Sequence, residues 1–520
     1  MPTGGSAETS YPRGAAAGAR WPLFARDVQL YRLCEDFSEG LIYLMVVFSP
    51  WAFGTTQAWS IAVMNGAGYC LGILLGVKLG IRRFKGYRPP RWGEAAAPEF
   101  TTKTILTESR LTVVLATLTV ALLVYCLISA VNAYATFHRS ELSFAYHACL
   151  PWLPHSFDSE LTWPAFWNYL GLAGAFWAVR DWLLGKSGDE LKVGVRRPGA
   201  ADPGTGALFP TRLRRLLWVL AINGGILGLE GITQRLEGSG KLLFLVRPRV
   251  NIDAASQFGP YAYRANAASY FNLLWPVTVG FWWLLHRTCG LRRHAHHLVL
   301  VCGLIMAACP IVSTSRGGAL VAVGILTLAV VFLVGTHFLF APQRNEDRRS
   351  RTLALVLTLL FFTGTLALGV TLGWKALKPR LAQINDGFDG REEMSDRARP
   401  MAADYPIYGT GPGTFETVFQ LYRISTDTYW PAQLHNDWLE TRITFGLAGS
   451  SLIGLALATV WLRWFARGGI HGGRRFVILL WLALAGCLAH ARFDFPFQIH
   501  SILFLFLLLC AILFSLARRP

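Results

Sequence analysis

The sequence predicts an all-α polytopic membrane protein of about twelve transmembrane helices, with a long extracytoplasmic loop containing short helices. Three observations carry that expectation. Apolar runs of about 20 residues, the length that crosses a hydrocarbon core, recur along the chain. Of its 520 residues, 53% are hydrophobic and 15% charged, and the mean hydropathy is +0.38, a balance foreign to a soluble chain of this length. Lys and Arg, finally, gather in alternate connections between the apolar runs.

Residues 1–36 are expected to form a cytoplasmic N-terminal tail, because Met1 to Arg20 lack the apolar core of a signal peptide. Transmembrane helices one to nine occupy 37–373, near 37–54, 58–81, 111–133, 162–183, 216–233, 267–285, 297–313, 318–340 and 353–373. Residues 374–442 make the long external loop, of the kind that carries function. Helices ten to twelve, near 443–462, 476–490 and 498–516, fill 443–520 together with a short cytoplasmic tail. With both termini in the cytoplasm, the basic stretches at 82–91, 212–215, 348–351 and 474–475 all fall inside. Inside segments then hold about twice as many Lys and Arg as outside ones, as the positive-inside rule asks. The formal net charge of +18 is therefore a topology signal, and no nucleic-acid partner is expected. The nine cysteines contain no CxxC pair and no zinc spacing.

The external segments hold the chemistry. "HNDWLETR" (His435 to Arg442) puts His435, Asn436, Asp437, Glu440 and Arg442 just ahead of an apolar run that crosses alone. It reads as a helical extension, with His435 in the first turn and Asn436 or Asp437 able to cap. Taken alone, His435 is an interfacial polar residue. "STSRGGAL" (Ser313 to Leu320) places Arg316 and two glycines at a helix start, a setting that suits phosphate; the plain alternative is an Arg on lipid headgroups. The long loop carries Arg391, Arg397 and Arg399 interleaved with acids, which alone is a solvated face of local ion pairs. Its Gly409, Gly411 and Gly413 are not followed by the Lys-Ser/Thr of a phosphate loop. Asp386, Asp389, Glu392, Glu393 and Asp396 match no calcium-loop spacing, and no metal is assigned. Arg264 and Asn266 stand just outside the sixth span, and Arg492 and Asp494, beyond the eleventh, are expected to pair with each other. His294, His296 and His297 read as a solvated cytoplasmic interface.

In this order, over roughly residues 215–500, these features resemble the O-antigen ligase family. The matching stretches are Arg264-Ala-Asn266-Ala-Ala, Ser315-Arg316-Gly-Gly, Asp404-Tyr-Pro-Ile-Tyr-Gly-Thr-Gly-Pro-Gly-Thr-Phe415, His435-Asn-Asp-Trp-Leu-Glu440 with Gly446 and Gly449, and Asp494-Phe-Pro-Phe-Gln-Ile499. The resemblance implies a membrane glycosyltransferase in the bacterial inner membrane, multi-pass, with its active site facing the periplasm. It implies an undecaprenyl-pyrophosphate-linked glycan as donor and lipid A-core, or another glycan or protein, as acceptor, among membrane lipids and without cofactor. Carried over by motif, His435 is the general base and Arg316 and Arg391 hold the pyrophosphate. Ser395 replaces an aromatic residue frequent after the loop Arg, so Arg397 and Arg399 stay as alternatives to Arg391. Arg264, Asn266, Asn436 and Glu440 are further substrate-binding candidates. Polysaccharide polymerases and protein O-oligosaccharyltransferases share the superfamily. A secondary transporter or lipid flippase fits the span number, but the sequence lacks the paired repeats of such folds.

Overall fold

The computed structural model describes residues 21–92, 102–187, 190, 209–289, 294–339, 348–423, 431–465 and 473–516. The tail over 1–20, Arg292, Arg293, the last four residues, and the side chains of Asp386 and Asp389 lie outside this description. The chain is helical almost throughout. In order come α1 (Ala25–Trp51), α2 (Ala58–Phe84), α3 (Thr102–Val131), α4 (Ser159–Leu184), α5 (Thr211–Glu237), α6 (Arg264–Cys289), α7 (His297–Val312) and α8 (Arg316–Leu339). Next is α9 (Arg348–Gly369), which runs through a π-helical turn, Val370–Trp374, into α10 (Lys375–Ala382). After these come α11 (Ile384–Asp404), α12 (Asp437–Phe465), α13 (Arg474–His490) and α14 (His500–Leu516). All twelve expected spans fall on helices. Among the described residues six stretches are long and apolar enough to cross a membrane: Ala58–Phe84, Arg110–Val131, Thr211–Glu237, Arg316–Phe338, Arg351–Ala382 and Asp437–Arg463. His297–Val312 and His500–Leu516 are apolar but shorter.

α6 forms the axis of the molecule. Ala268, Phe271, Leu274, Trp275 and Phe281 are at most 1% exposed, so this helix meets protein on every side. Its neighbours are α5, α7, α8, α13 and α14. A helix apolar all round belongs in such a place. At the far end of the bundle from Arg264 lies a buried charge cluster. Lys78, with no exposed side-chain surface, contacts Glu35 (2.9 Å) and Asp181 (3.0 Å). Arg82 grips both oxygens of Asp181 (2.8 and 2.6 Å), Arg91 joins it, and Arg212 closes on Glu35. One of the cations set within an apolar run is thereby neutralised, as burial requires.

The all-α class holds, and two expectations change, one at the histidines near 296 and one in α12. One small hairpin joins the helices: Ala135–His138 and Ser143–Tyr146 pair antiparallel, with Ala135 opposite Tyr146. Ala135 and Phe137 turn inward at 0% and 4% exposure, an alternation of period two that was too short to stand out between helices. The long loop is largely helical, through α10 and the 21 residues of α11. Of the three histidines near 296, His294 is exposed as expected and His297 is half-buried, but His296 is 3% exposed and touches His286 at 2%. The second change is in α12, which starts at Asp437 and breaks at Gly446 (φ 60°, ψ −167°), a conformation open only to glycine. The loop segment 406–411 packs into this break. Thr410 and Gly411 donate their N–H groups to Ile443 and Thr444 carbonyls (2.9 and 3.0 Å), while Leu447 and Ala448 donate to Pro406 and Ile407 (3.0 Å each). Two carbonyls before the break and two N–H groups after it thus find partners, as an interrupted helix in an apolar setting requires.

Candidate active site

His435 lies ahead of α12 rather than in its first turn, with a left-handed backbone (φ 57°). Its neighbours explain the position. Asn436 caps α12, its side-chain oxygen accepting from Leu439 N–H (3.3 Å). Glu440, buried at 4%, reaches back to accept from Leu434 N–H (2.7 Å). Asp437 accepts from Phe497 N–H (2.7 Å) and Gln498 Nε2 (3.1 Å), and its own N–H donates to Ala491 O (2.9 Å). The polar run thus staples α12 to the Asp494-Phe-Pro-Phe-Gln-Ile499 turn and holds His435 between them.

That turn supplies Asp494. Its Oδ1 lies 3.1 Å from His435 Nδ1 and also accepts from Phe495 N–H (3.1 Å). Its Oδ2 faces Tyr263 Oη (3.4 Å) and Arg391 Nη2 (3.5 Å). Asp494 pairs with Arg391 and His435, not with Arg492 as expected, because Arg492 is exposed while Asp494 is 3% exposed. Burial opposes the Asp494 charge, but the His435 hydrogen bond and the Arg391 guanidinium outweigh it and hold the carboxyl below its ordinary value. His435 is also boxed by aromatic rings, Phe495 at 4.8 Å and Tyr263 at 6.0 Å between centroids. With Nδ1 committed to the carboxylate, Nε2 keeps its lone pair and has no partner among the described residues. A partly exposed imidazole oriented by a buried carboxylate can accept a proton.

The arginines divide into three groups. Arg391 is fastened: it donates to Phe493 O (2.6 Å) and Tyr263 Oη (3.1 Å) besides meeting Asp494. Arg397 and Arg399 make local ion pairs along α11, with Glu393 (2.5 Å) and Asp396 (2.6 Å). The third group is Arg264 and Arg316 together with two residues that sequence reasoning passed over, Arg235 and Arg380. Arg235 donates to Ala254 O and Thr314 Oγ1 (2.8 Å each), Arg264 to Ala255 O, and Arg316 to Gln383 O (2.8 Å). None of the four has a carboxylate partner among the described residues. They are close enough to repel one another: Arg380 acts on Arg235 and Arg264, and Arg316 on Arg264 and Arg380. Burial first, then the neighbouring cations, draw Arg264, which precedes its span, down to about 10. Such a cluster stores repulsion that an anion would relieve.

Arg316 opens α8, where Ser315 Oγ caps Gly318 N–H (3.2 Å). A side chain on Gly318 would strike Ala268, 2.3 Å from where its Cβ would stand, so glycine lets α8 approach α6. Tyr263 ties the two halves together. Its ring adjoins His435, its hydroxyl meets Arg391, and Arg264 follows it in the chain. Asn266 is buried one turn on and donates its N–H to Tyr263 O (3.0 Å). Tyr263, Asp494, Arg235 and Arg380 could have been sought in the sequence as the missing carboxylate orienter and as cations at the outer ends of spans.

A family model described as O-antigen ligase matches residues 301–454, a stretch that holds Arg316, Arg391 and His435. No curated protein matches the chain.

Proposed function

The chain belongs to the O-antigen ligase family, and from that premise we propose that it transfers a glycan from undecaprenyl pyrophosphate to an acceptor hydroxyl, lipid A-core, at the outer face of the bacterial inner membrane. The observation that carries the reading is the His435–Asp494 pair set beside arginines that lack carboxylate partners among the described residues. In this reading both termini are cytoplasmic, the twelve helices all cross, and the site faces the periplasm.

The acceptor hydroxyl gives its proton to His435 Nε2 as its oxygen bonds to the anomeric carbon. The bond from that carbon to the pyrophosphate oxygen breaks, and the leaving group keeps the electron pair. Asp494 stabilises the imidazolium that forms. Charge grows on the pyrophosphate, and Arg264 and Arg316, aided by Arg235 and Arg380, offer it fixed donors that remain charged. Arg391 reaches the site through Asp494 and Tyr263, so we assign it to orienting the base, with pyrophosphate contact as a second role. Arg397 and Arg399, in local pairs, drop behind it. Asn436 and Glu440 shape the approach to His435. A single displacement inverts the anomeric configuration.

Incubating the purified protein with a polyprenyl-pyrophosphate glycan and separate acceptors tests this, with products identified by mass and by anomeric configuration. Transfer to lipid A-core with inversion is expected. Elongation of the donor glycan instead makes the protein a polymerase, and a glycosylated polypeptide makes it a protein O-oligosaccharyltransferase. No product with any acceptor would overturn the reading.

A further inference from the structure

At the end of α6 remote from Arg264, three imidazoles converge. His286 comes from the last turns of α6, His296 from the connection, and His297 from the start of α7. One nitrogen from each lies within 4.8 Å of the others. His286 Nδ1 and His296 Nε2 are 3.1 Å apart, and the His296 and His297 rings are 4.0 Å apart between centroids. Trp282 stacks on His286 at 5.5 Å and donates its indole N–H to His297 Nδ1 at 3.4 Å.

A neutral imidazole carries one lone-pair nitrogen. The long Trp282 contact marks His297 Nδ1 as such a nitrogen, and the 3.1 Å contact between His286 and His296 needs an acceptor on one side. Two nitrogens bound at about 2.0–2.1 Å on a tetrahedral ion stand about 3.3 Å apart, close to that spacing. Imidazoles favour zinc and its neighbours among divalent metals, and three of them leave a fourth position for water.

We propose that His286, His296 and His297 bind one divalent transition-metal ion of the zinc class. The site is separate from glycan transfer, since Arg264 lies about 33 Å away along α6 at 1.5 Å per residue. The ion clasps α6 to α7. Binding moves the proton between His286 and His296 to the outer nitrogen of its ring, and because protons compete with the ion for the ring lone pairs, affinity falls with falling pH.

The test uses the full-length protein, purified without a histidine tag and stripped with chelator, then titrated with cobalt(II) as a spectroscopic probe. One cobalt per chain with the strong visible bands of a four-coordinate site is expected. These bands disappear in His286→Ala, His296→Ala and His297→Ala and persist in His294→Ala. Zinc raises the thermal midpoint of the wild type but not of His297→Ala. His297 is only half-buried, so that variant is expected to elute as the wild type does and to keep glycan transfer. Absence of a one-to-one cobalt complex overturns the proposal. So does unchanged binding in well-folded His297→Ala, or binding that depends on His294 alone.

Discussion

His435 is held in a backbone conformation that a residue with a side chain adopts uncommonly, between a Leu434 N–H bonded to Glu440 and an Asp437 N–H bonded to Ala491 O. Replacing it with Ala should lower transfer by about 10²- to 10⁴-fold, the usual worth of a general base, with donor affinity kept. Asp494→Asn keeps the shape but removes the charge that stabilises the imidazolium. It should lower kcat by a comparable factor and move the acid limb of the pH–rate profile to lower pH. The sign for Asp494 itself follows from its lowered pKa. Its contribution to stability is complete above the ordinary Asp value near 3.9 and disappears as pH falls through the lower native value. An acid limb above about pH 4 therefore reports a group other than Asp494. The sequence made His435 visible through its motif but hid its partner. Asp494 stands two residues from Arg492 in the chain, and only the fold turns it toward α11 and Arg391.

Among the elements, the broken α12 shows what periodicity leaves unread. The apolar run from Ile443 to Leu462 is long enough to cross unaided, so hydropathy gives one straight helix. Gly446 and the loop segment 406–411 decide otherwise, and their pairing spans some 35 positions of sequence that no local pattern joins. The glycines of the long loop proved to be crossing points: a Cβ on Gly409 would lie 2.4 Å from Ile443 O, and one on Gly446 would lie 2.2 Å from Ile407 O. Gly446→Ala is accordingly expected to destabilise by more than the about 1–3 kcal/mol of backbone strain alone. The check is the thermal midpoint of the detergent-purified protein. A midpoint equal to the wild type's would mean that the segment 406–411 does not pack into the helix break.

At the scale of the whole molecule, charge placement was the most legible feature and the arginine cluster the least. The basic connections were plain as runs in the sequence, whereas Arg235, Arg264, Arg316 and Arg380 come from four separate helices and meet only through the packing of α5, α6, α8 and α10. The buried cluster at the other end makes a second test. Asp181→Ala strips Lys78, Arg82 and Arg91 of their shared carboxylate, and should cost about 3–5 kcal/mol, seen as a lower midpoint with the transfer chemistry of the surviving folded fraction unchanged. The central claim is that base and anion seat are distinct parts of one transferase site. The most direct measurement is donor affinity and single-turnover transfer, side by side, in His435→Ala and Arg264→Ala. The account predicts wild-type donor affinity with transfer nearly abolished in the first, and weakened donor binding in the second. Wild-type transfer by folded His435→Ala would contradict it.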